Sequence, residues 1–102
     1  MIYLVKGKFN YDAAQEFYQK LTDGTIKKQR PDGPEIVRAM NSAMIDENGD
    51  VNWTETCFCP IPLKHERETV YDLYFTALIT EVIPNHKKIE GASFIDKLLS
   101  LQ

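Results

Sequence analysis

Ile36-Val37-Arg38-Ala39-Met40-Asn41-Ser42-Ala43-Met44-Ile45 leads into Glu47-Asn48-Gly49-Asp50, and Val51-Asn52-Trp53-Thr54-Glu55-Thr56-Cys57-Phe58-Cys59 leads out. The reading of this stretch decides the fold. Asn-Gly between two runs rich in apolar and β-branched residues signals a β-hairpin, because a two-residue type I′ turn needs positive φ at both central positions. A two-residue turn at Asn48-Gly49 places Glu47 opposite Asp50. It then pairs Met44 with Trp53, Met40 with Cys57 and Arg38 with Cys59, while Ile45 meets Asn52 on the other face. Neither face of this hairpin is cleanly polar.

Outward from the hairpin, Met1 to Phe9 alternates as a strand. Tyr3, Val5, Gly7 and Phe9 share one face; Ile2, Leu4, Lys6 and Lys8 share the other. A helix follows, with Asp12 as its expected N-cap and Gln15 as a capping-box partner. Ala14, Phe17, Tyr18 and Leu21 line its apolar side, and Gly24 closes it. Residues 25–35 hold two prolines and a glycine and read as a connection. So do Pro60 to Glu68. Val70 to Ile83 reads as one long strand, bent, bulged or extended past the sheet because strands usually run about 5–6 residues. Ser93, with Asp96 three residues on, opens a last helix whose apolar side is Phe94, Ile95, Leu98, Leu99 and Leu101.

The 102 residues imply a single domain spanning residues 1–102. The order β-α-β-β-β-α predicts an α+β fold of two layers: a mostly antiparallel four-stranded sheet and two helices. Hydrophobic residues are 43% of the chain and charged residues 26%, which opposes global disorder. The formal net charge of −3 opposes a general nucleic-acid role. No apolar run reaches membrane-spanning length, so no membrane partner is expected. Two cysteines without a recognisable leader predict free thiols and a cytoplasmic location.

Four groups of residues carry possible chemistry. On a strand, Cys57 and Cys59 point the same way, with Met40 projecting from that side and Met44 further along it. Such a sulfur cluster suits a soft metal, although free cysteine and methionine also fill cores. His65, six residues after Cys59, is the candidate to complete that site or act as a base, against the more common reading of a solvated histidine in a charged turn; His86 reads as a surface loop residue. Lys27, Lys28 and Arg30, with Arg38, Lys87 and Lys88, form a candidate anion patch. Glu55 and Asp72 are carboxylates on strands; burial would raise their pKa, but their polar neighbours Ser42 and Thr76 favour reading both as ordinary outward residues. Tyr3, Tyr11, Tyr18, Tyr71 and Tyr74 read as packing residues or the lining of a cleft.

Two helices cover one sheet face only. The other face therefore keeps apolar surface, which predicts a homodimer or a protein partner through the sheet, with Trp53, Met44, Phe58 and Tyr74 at the interface. The leading functional expectation is a small binding or regulatory module. The alternative is a small ligand- or metal-binding protein, or an enzyme, using Cys57, Cys59 and His65. No motif calls for an organic cofactor, and no catalytic set follows from spacing.

Overall fold

The computed structural model describes residues 1–102. Five strands form one sheet in the order β4-β1-β3-β2-β5, and each pairs antiparallel with its neighbours. The strands are β1 (Ile2–Phe9), β2 (Met44–Ile45), β3 (Val51–Thr56), β4 (Phe75–Ile83) and β5 (Ala92–Ser93). The helices are α1 (Ala14–Thr22), α2 (Gly33–Ser42), α3 (Lys64–Glu66), α4 (Asp72–Tyr74) and α5 (Phe94–Ser100). The α+β class stands. The sheet has five strands where four were expected, and there are more than two helices.

The largest departure lies at the stretch quoted first. Ile36–Ser42 belongs to helix α2 and not to a strand. The same apolar residues fit both periods. Ile36, Ala39, Met40 and Ala43 stand at i, i+3, i+4 and i+7, and all four are buried. Pro34 lies in the first turn of α2, where its missing N–H costs nothing. Asp32-Gly33-Pro34 is therefore a helix start, and the connection from residue 25 ends earlier than expected.

Only Met44–Ile45 remains of the expected first hairpin strand. Its register is Met44↔Asn52 and Ile45↔Val51, one residue from the expected pairing. Asp46 N–H donates to Asp50 O at 2.9 Å, and Gly49 N–H to Asp46 O at 2.9 Å. Gly49 has φ +82°. A three-residue loop with a left-handed glycine thus replaces the two-residue turn.

A second departure lies between residues 64 and 74. The chain runs through α3, widens into a π-helix over Arg67–Tyr71, and closes in α4. The strand expected from Val70 begins only at Phe75. Leu63, Glu66, Val70, Tyr71 and Tyr74 are buried at helical spacing, so packing overrides the strand preference of valine and tyrosine. Of the irregularities expected of this long strand, a bulge is present in β4. Its register against β1 shifts between Lys6 and Lys8, beside Ala77 at φ +53°.

Local caps follow simple chemistry. Asn10 caps the 3-10 turn Tyr11–Ala13 by accepting from Asp12 N–H, so Asp12 is not the cap. Ser93 caps α5 by accepting from Asp96 N–H at 3.3 Å, as its sequence pattern predicted.

The inner face of the sheet carries Tyr3, Val5, Phe9, Val51, Trp53, Glu55 and Phe75, all buried against the helices. Phe9, Phe17, Phe75 and Phe94 form an aromatic cluster between β1, α1, β4 and α5. β4 and β5 are the two edges, so the segment joining them crosses the sheet. His86 lies across β3, with Nδ1 2.8 Å from Thr54 Oγ1 and Nε2 2.9 Å from Thr56 Oγ1.

Candidate metal centre

β3 ends at Thr56, and the chain turns sharply through Cys57-Phe58-Cys59. Cys57 N–H donates to Met1 O at 2.9 Å, which anchors the turn to the start of β1. Cys59 N–H donates to Cys57 Sγ at 3.2 Å, so the two cysteines fold toward each other. Cys57 is buried and Cys59 half-buried; both are free thiols.

The helical run brings Glu66 against this turn. Its side chain is only 1% exposed. The Cys59 thiol donates to Glu66 Oε1 at 3.5 Å. One ligating atom each from Cys57, Cys59 and Glu66 lie within 4.8 Å of one another. Burial pushes the Cys57 thiol up to about 12, against the opposing pull of the Cys59 N–H bond.

Toward Glu66, the N-terminus of α2 also brings Asp32. It occupies the N-cap position, yet its side chain makes no capping bond. Its Oδ2 instead meets His65 Nδ1 at 2.6 Å, and its Oδ1 is buried with no partner. The hydrogen bond to Asp32 is the main cause that raises the pKa of His65. Asp32, His65 and Glu66 likewise place one ligating atom each within 4.8 Å.

Asp32, Cys57, Cys59 and Glu66 border one cavity of about 560 Å³, lined also by Pro31, Glu35, Thr56 and Phe58; His65 is not part of its lining. Glu35 holds the α2 wall to the end of β3. Its carboxylate accepts from Arg38 Nε at 2.7 Å and Nη2 at 2.9 Å, and from Thr56 N–H at 2.7 Å. Burial alone would raise the pKa of Glu35, but the Arg38 and Thr56 bonds outweigh it and hold it below the ordinary carboxylate value.

Beneath β3 lies a second buried carboxyl. Glu55 is 0% exposed, with Oε1 accepting from Trp53 Nε1 at 2.8 Å and from Tyr71 OH at 2.5 Å. Its Oε2 has no partner. Burial pushes its pKa up to about 8, against those two hydrogen bonds, and the charges of Glu66 and Glu35 add to the rise.

The residues singled out in the sequence divide clearly. Cys57, Cys59 and His65 come together around Glu66. Met40 does not: it sits on α2 in the hydrophobic core, because its segment is helical. Trp53 and Tyr74 lie inside the core and present no interface, since β3 turns Trp53 inward and Tyr74 bonds to Glu16 at 2.5 Å from α4. Phe58 is 89% exposed and Met44 half-buried. Lys27, Lys28 and Arg30 border one surface depression. Arg38, Lys87 and Lys88 border another with His86, so the basic residues do not form one patch. Asp72 is exposed and pairs with Arg67 at 3.2 Å.

Glu66 and Asp32 were not foreseen. Glu66 lay in an apparently charged turn, Lys64-His65-Glu66-Arg67-Glu68, and only a helical reading of that turn points it inward. Comparison with known proteins finds no family model, curated protein or solved structure that matches this chain.

Proposed function

We propose that this chain binds a divalent metal ion of the zinc class through Cys57, Cys59 and Glu66. The observation that carries the reading is the convergence of two thiols and a buried carboxylate within 4.8 Å at one cavity. Donor atoms about 2.0–2.3 Å from a tetrahedral ion stand roughly 3.3–3.8 Å apart, so small side-chain adjustments bring these three into range. Two thiolates favour a borderline or soft ion over magnesium or calcium. Three protein donors leave a fourth position for water or a ligand, the usual arrangement of catalytic rather than purely structural zinc. When bound, such an ion supplies Lewis acidity. The chain's own residues hold it, and the cavity beside them admits a small molecule.

Cobalt(II) titration of the metal-free, reduced protein tests the reading. The expected result is stoichiometric binding with thiolate-to-cobalt charge-transfer absorption. Cys57→Ser and Cys59→Ser each weaken the absorption, and Glu66→Gln lowers affinity while leaving thiolate absorption in place. A folded protein that takes up no cobalt or zinc refutes it.

A second reading, association through the sheet or with a protein partner, rests on different surface. β4 is an edge strand, and Ile79 on it is 63% exposed, while Phe58 stands out beside the cavity. Sedimentation of the reduced protein across a range of concentrations tests it. A monomer throughout removes the homodimer.

A further inference from the structure

We infer that Asp32, His65 and Glu66 hold a second metal ion beside the first, with the Glu66 carboxylate bridging the two. The inference rests on the metal-binding reading of Cys57, Cys59 and Glu66 and extends it to a two-ion centre.

Glu66 is the residue common to both donor sets. It is almost wholly buried and borders the cavity, which Cys57, Cys59 and Asp32 also line. A carboxylate has two oxygens, and one group can serve two ions. Two-metal centres commonly hold their ions about 3.5–4 Å apart.

Asp32 supplies an independent observation. An aspartate at a helix N-cap ordinarily accepts from the backbone N–H groups of the first turn. Here it makes no such bond and turns one oxygen to His65. Its other oxygen is buried without a partner. A buried acceptor with nothing to accept from is a costly arrangement that an ion at this position relieves.

The two halves differ in chemistry. Two thiolates and a carboxylate oxygen suit zinc. An imidazole and two carboxylates suit zinc, manganese or ferrous iron, so the second position is the more permissive. A pair of ions at a cavity wall favours a ligand with anionic oxygens, which can span both.

Native mass spectrometry of the full chain, freed of metal and kept reduced, tests this with zinc as the probe. Two zinc ions are expected for the wild type. His65→Gln and Asp32→Asn should each lose the second ion and keep the first. The double variant Cys57→Ser/Cys59→Ser should keep one ion. A wild type that stops at one zinc overturns the two-ion inference and leaves the metal-binding reading intact. So does a His65→Gln protein that still takes two. A wild type that binds none overturns both. Should the variants fail to fold, the wild type decides alone. Cobalt(II) at two equivalents should show an electron paramagnetic resonance signal weakened by coupling relative to one equivalent. An uncoupled, additive signal overturns the bridge.

Discussion

Tyr71 and Glu55 face each other inside the core, hydroxyl to carboxyl at 2.5 Å, with no solvent exposure on either residue. Tyr71 reaches this position from the π-helix Arg67–Tyr71, and Glu55 from the inner face of β3. Burial raises both pKa values, that of Glu55 to about 8. The unfolded chain ionises Glu55 near ~4.3. Between these two values the folded state holds a proton that the unfolded state has lost, so stability falls as pH rises through that window and levels off above it. Glu55→Gln keeps an acceptor for Trp53 and Tyr71 and cannot ionise. Relative to the wild type, the metal-free variant should gain stability progressively from pH 5 to pH 8, by on the order of 3 kcal/mol in all. Urea denaturation across that range checks it. A stability difference that does not change with pH would show that Glu55 does not titrate in the window.

Glu35 works in the opposite direction. Its bonds to Arg38 and Thr56 N–H hold its folded pKa below the ordinary value despite partial burial. The stabilisation is therefore fully present above the unfolded pKa of ~4.3 and is lost as pH falls through the lower folded value. Glu35→Gln should cost about 1 kcal/mol at pH 7 and much less at pH 3. Thermal unfolding at the two pH values measures this; an equal loss at both would place the effect in packing rather than charge.

Much of the fold was legible wherever one period dominated. Strand β1 alternates without ambiguity, α1 and α5 carry single apolar stripes, and the Ser93 cap reads directly. The reading failed where one set of residues satisfied two periods. Ile36, Ala39, Met40 and Ala43 lie on one helical face, and the strand reading of the same segment left no polar face, which was the available sign of error. Pro34 marks a helix start, although a proline in a Gly/Pro-rich stretch also reads as a breaker. At the site, Cys57, Cys59 and His65 stood out by residue type. Glu66 and Asp32 became visible only once α2 and the run from Lys64 to Tyr74 folded as helices, because strand or loop geometry aims them elsewhere.

The start of α2 makes a sharp packing prediction. A Cβ on Gly33 would lie 2.1 Å from Ile26 O and 2.8 Å from Lys27 O, both backbone atoms that cannot swing aside. Gly33→Ala should destabilise the protein by about 2–3 kcal/mol and shift Asp32 next to it. Gly49→Ala meets open space, and its cost of about 1 kcal/mol comes from the positive φ alone. Urea midpoints of the two variants should therefore separate clearly. Equal losses would mean that the 26–27 backbone gives way to α2 at little cost.

Phe58 and Phe17 offer the last contrast. Phe17 is fully buried and packs on Phe9, Tyr74, Phe75 and Phe94. Phe17→Ala should cost about 3–5 kcal/mol, the usual result of opening a cavity in an aromatic core. Phe58 projects into solvent between the two cysteines, so Phe58→Ala should leave folding stability within about 0.5 kcal/mol. If Phe58 is a contact in self-association, the same variant lowers the sedimentation coefficient at high concentration while its urea midpoint at low concentration stays fixed. A Phe58→Ala protein as destabilised as Phe17→Ala would instead mean that the ring packs against the chain and that the Cys57–Cys59 turn is more closed than the structure has it.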